Sequence, residues 1–306
     1  MPAPGSPFAF VDGALDRAEH VRGDGARLAA LWPDARLLRL DGAGHALADA
    51  AGGPLAVTGA SHPDAAADAV LLGLEGERAW FATAVGADED RDVPRVDLRT
   101  AAATWPVREA TAFAQARAVL HWRARHRFCG ACGGALRYER AGWLGRCTHC
   151  GLEHYPRTDP AVIVAVTDGE RLLLGRQASW PARRYSTLAG FVEPGETLEQ
   201  TVVREVFEES AVRVRRCRYL ASQPWPFPSS LMLGFVADAE PDAPRANDEE
   251  LEDARWFSRD EVGAALRGET REHGLLLSPR LSISRWLIEH WHAAGVGPAA
   301  NGTGPA

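Results

Sequence analysis

The hydrophobic positions of the chain change their pattern from one region to the next. Residues 1 to about 110 contain short apolar runs at 35–40, 69–74 and 79–85, separated by Gly and Asp. Runs of this length, broken by turn-forming residues, predict a small α+β domain. Residues 107–126 lack Gly and Pro, and we expect a helix there.

The second half of the chain opens with a strong strand pattern. Residues 161–167 are rich in β-branched side chains and turn at an Asp-Gly pair into 171–174, which predicts a hairpin. Two further strands are expected at 212–221 and 231–237.

Two helices are predicted in this half. The first covers about 197–210, where Thr197 precedes a stretch without Gly or Pro and Glu199 and Gln200 stand in the first turn. The second has Pro279 in its first turn and continues to residue 292. Its buried side is predicted to contain Leu281, Trp286, Leu287 and Trp291.

The segment 190–212 reads GFVEPGETLEQTVVREVFEESAV and holds six glutamates and one arginine. Glu205, Glu208 and Glu209 stand at i, i+3 and i+4 of the predicted helix, so they crowd one face. Like charges on one turn destabilise a helix, and the alternative interpretation is a solvated acidic face.

The surrounding residues favour a metal site over that alternative. The helix also has a predicted apolar side, formed by Val202, Val203, Val206 and Phe207. Arg204 and Glu196 are placed to pair across the preceding loop. Carboxylates that converge with a backbone carbonyl suit Mg²⁺ or Mn²⁺, which takes its remaining ligands from water and substrate phosphates.

A second motif has the spacing C-x2-C-x14-C-x2-C and is formed by Cys129, Cys132, Cys147 and Cys150. Two close pairs of thiolates are the ligand set of a structural, tetrahedral zinc site. Two disulfides are the competing interpretation, disfavoured because the chain has only five cysteines and no signal-peptide pattern at its start. His149 could replace a cysteine, but four cysteines leave it no vacancy. The fifth, Cys217, is expected to be structural.

A third motif, SQPWPFPSS at 222–230, contains three prolines in five residues and cannot form a central strand. We expect a rigid, extended segment that presents Trp225 and Phe227 with little conformational freedom left to lose. Rigid aromatic rings and the Gln223 amide suit a flat nucleobase or nicotinamide ring. A purely structural loop is the alternative, and the neighbouring acidic motif favours the ring-binding interpretation.

Together these residues resemble the NADH pyrophosphatase family of Nudix hydrolases, from about residue 126 to 290. The Nudix box is G, five residues, E, seven residues, REUxEExGU, with U apolar, and the segment 190–212 fits it except at one position. Ala211 stands where the family usually has glycine, which implies a slightly different exit from the helix without loss of a ligand. Bacterial members of the family are similar to hydrolases that remove NAD caps from RNA.

The resemblance implies an α+β architecture, with a Nudix α/β/α sandwich preceded by a four-cysteine zinc ribbon and an N-terminal α+β domain. The expected boundaries are 1–125 for the N-terminal domain, 126–156 for the zinc ribbon and 157–293 for the Nudix domain, with a disordered tail at 294–306. The N-terminal domain would be a degenerate Nudix-like fold.

The resemblance also implies the site residues. The Mg²⁺ or Mn²⁺ ligands would be the carbonyl of Ala189 and the side chains of Glu205, Glu208, Glu209 and Glu250. The alignment at Glu250 is anchored by Trp256 and could shift to Glu249, Glu252 or Asp253. Residues expected to act in catalysis are Glu209, Glu208, Glu205, Arg204 and Glu196. Those expected to bind substrate are Tyr155, Phe191, Gln223, Pro224, Trp225, Pro226, Phe227, Pro228, Ser229, Ser230 and Ser284.

The function implied is metal-dependent hydrolysis of NAD(H) to nicotinamide mononucleotide and AMP, including removal of NAD caps from RNA. Alternatives are another dinucleotide, such as ADP-ribose, or a non-catalytic zinc-ribbon regulator that senses a nucleotide. Decay to a sensor would normally remove the costly acidic cluster first, and here the cluster is complete. A homodimer is expected from the resemblance alone.

Composition narrows the setting of the protein. The 306 residues carry a net charge of −7, which disfavours a general nucleic-acid binder. All 34 basic side chains are arginine, a pattern typical of a genome-wide compositional bias. No apolar run approaches the length of a membrane span, so a cytoplasmic protein without membrane contact is expected.

Overall fold

A computed structural model describes residues 8–86, 89–246, 250–269 and 274–295. By its contacts the chain divides into two compact units. The first comprises Met1–Thr158 with Pro224–Ser230, and the second comprises Asp159–Gln223 with Leu231–Ala306. From residue 296 onward the predicted disordered tail lies outside the described residues. Among the helices that the structure describes, none is long and apolar enough to cross a bilayer.

The first unit is built on a mixed sheet with helices. Its strands are β1 (Arg36–Leu40), β2 (Ala46–Leu47), β3 (Val70–Glu75), β4 (Arg78–Ala84) and β5 (Arg95–Val96), and its helices are α1 (Gly25–Leu31), α2 (Leu98–Thr104) and α3 (Val107–Arg125). Short 3-10 helices cover Glu19–Val21, Gly59–Ser61 and Pro63–Asp68. The strand order is β3-β4-β1-β2-β5, with β1 parallel to β4. The N-terminal α+β domain and the helix at 107–126 are confirmed.

The α3 helix closes one face of this sheet. Its buried Phe113 and Ala116 pack in one core cluster with Leu40, Leu72 and Trp80 from the strands. A small sheet follows, with β6 (Leu136–Glu139), β7 (Leu144–Cys147) and β8 (Glu153–His154) in consecutive order.

The second unit contains a larger sheet flanked by helices. Its strands are β9 (Asp159–Thr167), β10 (Arg171–Arg176), β11 (Arg184–Tyr185), β12 (Leu188–Phe191), β13 (Val214–Trp225), β14 (Ser230–Ala239), β15 (Asp253–Ser258) and β16 (Leu276–Leu277). Its helices are α4 (Leu198–Ser210), α5 (Arg259–Leu266) and α6 (Ile283–Ala293). The main sheet has the order β13-β14-β9-β10-β15, with β12 also paired to β9, while β11 pairs with β16. The predicted hairpin at 161–174 is confirmed.

The α4 helix starts where the sequence predicts, because Thr197 and Gln200 form a capping box. The Thr197 hydroxyl accepts from the Gln200 N–H at 3.2 Å, and the Gln200 side chain accepts from the Thr197 N–H at 2.8 Å. The predicted apolar side is only half correct. Val202 and Val206 are fully buried in the core, whereas Val203 and Phe207 are 46% and 48% exposed, since they lie about 100° further round the helix.

The last helix and the proline-rich segment also differ from expectation. α6 begins at Ile283, after the cap Ser282, and Leu281 and Trp286 are only half-buried. The segment 222–230 is not extended throughout: β13 continues to Trp225, and residues 226–229 form the turn into β14. Pro224 is tolerated within β13 because this strand stands at the end of the described strand order, next to β14, whereas Pro226 and Pro228 lie in the turn.

Ala211 stands at the exit of α4. It has φ 58° and ψ 18°, a left-handed conformation that glycine adopts at less cost. The next residue, Val212, is fully buried in the core. The chain therefore passes from α4 into the core through a left-handed residue that carries a Cβ.

Ala211→Gly should stabilise the protein. A left-handed residue with a Cβ costs about 1–2 kcal/mol, and the greater freedom of glycine in the unfolded chain takes back about 0.4–1 kcal/mol. We expect the free energy of unfolding in urea to rise by about 0.5–1 kcal/mol. Ala264→Gly in the middle of α5 is the control and should lower it by a similar amount. Destabilisation by Ala211→Gly would contradict the argument.

Candidate active site and zinc site

The four cysteines of the first unit meet at one point. Their sulfur atoms all lie within 4.8 Å of one another. Cys129 Sγ is 3.7 Å from Cys150 Sγ, and Cys132 Sγ is 3.4 Å from Cys147 Sγ. A tetrahedral zinc with Zn–S bonds of about 2.3 Å separates its sulfurs by about 3.8 Å. The set therefore fits zinc, and the distances are far from those of S–S bonds, which are about 2.05 Å.

The backbone around each cysteine pair forms a tight turn. Gly133 and Gly151 follow the two pairs with φ of 73° and 76°, and their N–H groups donate to the carbonyls of Cys129 and Cys147. The N–H groups of Cys150 and His149 point at Cys147 Sγ, and they lower the pKa of that thiol to about 6. The second turn thus favours the thiolate form of Cys147, the form that zinc binds.

Cys147→Ser should release zinc from the purified protein. The variant loses a buried thiolate ligand, whereas Cys217→Ser removes a cysteine outside the cluster and should leave zinc unchanged. Atomic absorption on both variants measures the difference. Full zinc content in Cys147→Ser would contradict the assignment of the site.

In the second unit, Arg204 on α4 binds three glutamates at once. Its Nε and Nη2 donate to the two carboxylate oxygens of Glu196 at 2.6 and 2.9 Å. Its Nη1 lies 2.9 Å from carboxylate oxygens of both Glu205 and Glu208. The bidentate pair lowers the pKa of Glu196 to about 2. Arg204 therefore offsets the repulsion that the acidic helix face would otherwise suffer.

Glu196 joins this helix to the loop before it. Its Oε2 also accepts from the Glu193 N–H at 3.1 Å and from the Thr201 hydroxyl at 3.0 Å. All of these contacts hold the loop against α4. The geometry gives Glu196 a positioning part in the site.

The side chain of Glu205 packs directly against Gly190. A Cβ on residue 190 would overlap the Glu205 carboxylate, at a separation that real Cβ contacts do not show. Glu205 is 14% exposed, and burial raises the pKa of its carboxyl, with Arg204 opposing and the charges of Glu208 and Glu250 adding to the rise. Glu250, which lies after β14, is thus near enough to act on Glu205.

Glu209 is the most buried carboxylate of the box. It is 4% exposed and continues the buried stripe of Val202 and Val206 along α4. Glu208, in contrast, is 53% exposed. A buried carboxylate is costly to keep charged, so such positions are frequent in functional sites.

The carbonyl of Ala189 points to the same side of β12 as these carboxylates. β12 pairs antiparallel with β9, and the N–H of Val192 donates to the Pro160 carbonyl at 3.0 Å. Because bonded residues alternate along such a strand, the carbonyls of Ala189 and Phe191 point away from β9. The Phe191 carbonyl accepts from Arg204 Nη2 at 2.9 Å, so the Ala189 carbonyl faces the Arg204 side.

The carboxylates are not gathered as tightly as the cysteines. Among the described residues, only the four cysteines form a set of three or more possible ligand side chains within 4.8 Å. The glutamates share one side of α4, and Arg204 occupies the space between three of them.

The predicted substrate-binding residues occupy different environments. In the second unit, Phe191 is 59% exposed, whereas Gln223 and Ser284 are buried. The Gln223 amide binds the Leu281 carbonyl and the Ile283 N–H at the start of α6. The Ser284 hydroxyl is hydrogen-bonded to Ser186 and Thr187.

The remaining predicted substrate-binding residues belong to the first unit. Tyr155 is 59% exposed, and its hydroxyl donates to Glu153. In the turn, Pro226 is buried, and the rings of Trp225 and Phe227 are half-buried with centroids 4.8 Å apart. The other members are exposed or half-buried: Pro224, Pro228, Ser229 and Ser230.

Comparison with known proteins gives consistent matches along most of the chain. Residues 25–122 match the NADH pyrophosphatase-like rudimentary NUDIX domain, residues 124–155 the NADH pyrophosphatase zinc ribbon domain, and residues 157–277 the NUDIX domain. The NAD-capped RNA hydrolase NudC of Mycobacterium bovis is 43% identical over 292 residues, covering 91% of this chain and 92% of that protein. The chain belongs to the NADH pyrophosphatase family of Nudix hydrolases.

Two further matches cover less of this chain. The human NAD-capped RNA hydrolase NUDT12 is 44% identical over 194 residues, 60% of this chain and 42% of that protein. A NUDIX hydrolase structure from Nitrosomonas europaea is 30% identical, covers 44% of this chain and 78% of that chain, and has a TM-score of 0.38.

Two features of the NADH pyrophosphatase site were outside the reach of sequence reasoning. The sequence predicts that Arg204 pairs with Glu196, and the structure adds Glu205, Glu208 and the Phe191 carbonyl. The structure also explains why residue 190 is glycine, because the Glu205 carboxylate packs directly against it. In the sequence, the only sign of this contact is the box pattern itself.

Gly190→Ala should abolish most metal-dependent hydrolysis while the protein stays folded. The added methyl group displaces the Glu205 carboxylate by about an ångström, and a shift of that size costs about 10²-fold in rate. Calorimetric titration with Mn²⁺ should show weaker binding in the same variant. Gly42→Ala is the control, because a Cβ there meets nothing within 4 Å. Wild-type rate and Mn²⁺ affinity in Gly190→Ala would refute the role of this contact.

Proposed function

We propose that the protein hydrolyses the pyrophosphate bond of NAD(H) to nicotinamide mononucleotide and AMP, both in the free dinucleotide and as the cap of RNA. The observation that carries the proposal is the arrangement of Glu205 and Glu209 on α4, with Glu205 against Gly190. The same chain has the ring-binding motif 222–230 and relatives of nearly full length that are named NAD-capped RNA hydrolases.

Divalent ions would be held by Glu205, Glu209, Glu208, Glu250 and the Ala189 carbonyl. The donor set fits, because hard oxygen atoms that carry several negative charges are what Mg²⁺ and Mn²⁺ bind. When bound, such ions neutralise the pyrophosphate and lower the pKa of a water molecule. We expect this protein to hydrolyse NADH with either Mg²⁺ or Mn²⁺.

The residues of the chain divide the remaining work. A carboxylate accepts the proton of the attacking water as the new P–O bond forms and the bridging P–O bond breaks. We assign the largest share to Glu209, which is held rigidly by its burial. Arg204 and Glu196 keep the acidic face and the loop in register. In the second unit, the exposed ring of Phe191 would stack on a ring of the substrate. In the first unit, we assign the Trp225–Phe227 pair to the nicotinamide ring.

Products released from NADH in the presence of Mn²⁺ or Mg²⁺ test the proposal. Chromatography should show AMP and reduced nicotinamide mononucleotide in equal amounts. Glu209→Gln should fold and retain zinc but lose at least about 10²-fold in kcat, because it removes a charged oxygen from the site. The control is Glu199→Gln, an exposed glutamate in the first turn of the same helix.

Each result leads to a different conclusion. No cleavage of NADH by the wild type would refute the proposal and favour another dinucleotide, such as ADP-ribose. Tight NADH binding without turnover would favour the sensor. Near-normal turnover in Glu209→Gln would refute the assigned role of Glu209. The homodimer stays a prediction, and sedimentation of the purified protein tests it.

A further inference from the structure

The segment 224–230, which comprises the end of β13, the turn at 226–229 and the first residue of β14, packs on the N-terminal domain. By its contacts this segment belongs to the first unit, although β13 and β14 on either side of it lie mostly in the second. Phe227 packs on the core cluster formed by α3 and the five-stranded sheet. The proposed ring-binding motif is therefore attached to a domain that has no assigned part in the reaction.

Two arginines of that domain contact the aromatic pair. The guanidinium of Arg99 on α2 lies 4.1 Å from the centre of the Phe227 ring and 5.9 Å from that of Trp225. The guanidinium of Arg117 on α3 lies 5.0 Å from the Phe227 ring, and its Nη1 donates to the carbonyl of Pro226. Both distances to Phe227 are within the range of cation–π attraction.

Each arginine is itself fixed in position. Asp97 caps α2 by accepting from the N–H groups of Arg99 and Thr100 at 2.9 and 3.2 Å, which sets the helix turn from which Arg99 projects. The side chain of Arg117 passes Gly44, where a Cβ would come within 3.0 Å of its Nε. Gly44 has φ 80°, and the absence of a side chain there leaves space for the guanidinium of Arg117.

The pairing of two cations at one aromatic ring has an electrostatic cost. Burial and the neighbouring charge of Arg99 lower the pKa of Arg117, and Asp97 offsets this only in part. Repulsion of this kind persists when the surrounding structure compensates it, here through the Phe227 ring and the Pro226 carbonyl. The cluster is thus built around the turn.

We propose that Arg99 and Arg117 are positioning residues for substrate recognition, which fix the Trp225–Phe227 pair and so determine the affinity for the nicotinamide half of the dinucleotide. The inference rests on the proposed function. The function of the N-terminal domain would then be to reduce the conformational freedom of the turn before substrate binds. A preorganised ring binds more tightly because less entropy is lost on binding.

Steady-state kinetics on the full-length, zinc-loaded protein test this inference. The measured quantities are kcat and KM for NADH and the inhibition constants of the two product halves, nicotinamide mononucleotide and AMP. The variants are Arg99→Gln, Arg117→Gln, their combination and the conservative Arg117→Lys. The matched control is Arg108→Gln, an exposed arginine on the same helix whose partner is Glu75.

In the double variant we expect KM for NADH and the inhibition constant of nicotinamide mononucleotide to rise about five- to tenfold, the size of two weakened cation–π contacts. The inhibition constant of AMP and kcat should stay within about twofold, since the substitutions act on the groups around the Trp225–Phe227 pair. Arg117→Lys should recover most of the loss, because it keeps a cation and a donor. If the double variant fails to fold, Arg99→Gln alone tests the inference, because Arg99 is exposed and its substitution should not disturb folding.

Three results would overturn the inference, and they can be told apart. Unchanged KM and product inhibition in a folded double variant would refute the positioning role alone. Equal weakening of both product halves with a fall in kcat would show general damage to the structure and would also refute it. No NADH cleavage by the wild type would refute the proposed function, and this inference with it.

Discussion

The acidic face of α4 depends on one guanidinium group. Glutamates at i, i+3 and i+4 repel each other, and the helix has to tolerate this repulsion before any cation is bound. Arg204 makes it tolerable by contacting Glu196, Glu205 and Glu208 together, and by tying the helix to β12 through the Phe191 carbonyl. Lysine could not replace it, because a single ammonium cannot make a bidentate pair while also reaching two further carboxylates.

Much of this architecture follows from the sequence, because its strongest signals are local. The capping box at Thr197 and the Asp-Gly hairpin involve residues a few positions apart, and the four cysteines all lie within 129–150. The structure agrees with all three signals. The errors have a different origin. Val203 and Phe207 are apolar but exposed, since burial is decided by what a helix packs against and not by composition.

The site itself could be predicted only as a set of residues, since its geometry depends on long-range packing. Nothing near Gln223 in the sequence indicates that its amide would be used at the start of α6, 58 to 60 positions further along. The contacts of Phe227 with α2 and α3 join positions more than 100 residues apart. Motif spacing carries the identity of such residues, whereas their partners emerge from the fold.

The seating of Phe227 on the N-terminal core has a consequence for the evolution of the chain. The glutamates of the Nudix box and the cysteines of the ribbon all lie after residue 125, so a shorter chain could keep its catalytic groups and its zinc. It would, however, lose the N-terminal core on which the Phe227 ring packs. Selection for one substrate would thus retain the rudimentary N-terminal domain even though it has no catalytic residues assigned to it. The domain could be lost only where selection on substrate choice is relaxed.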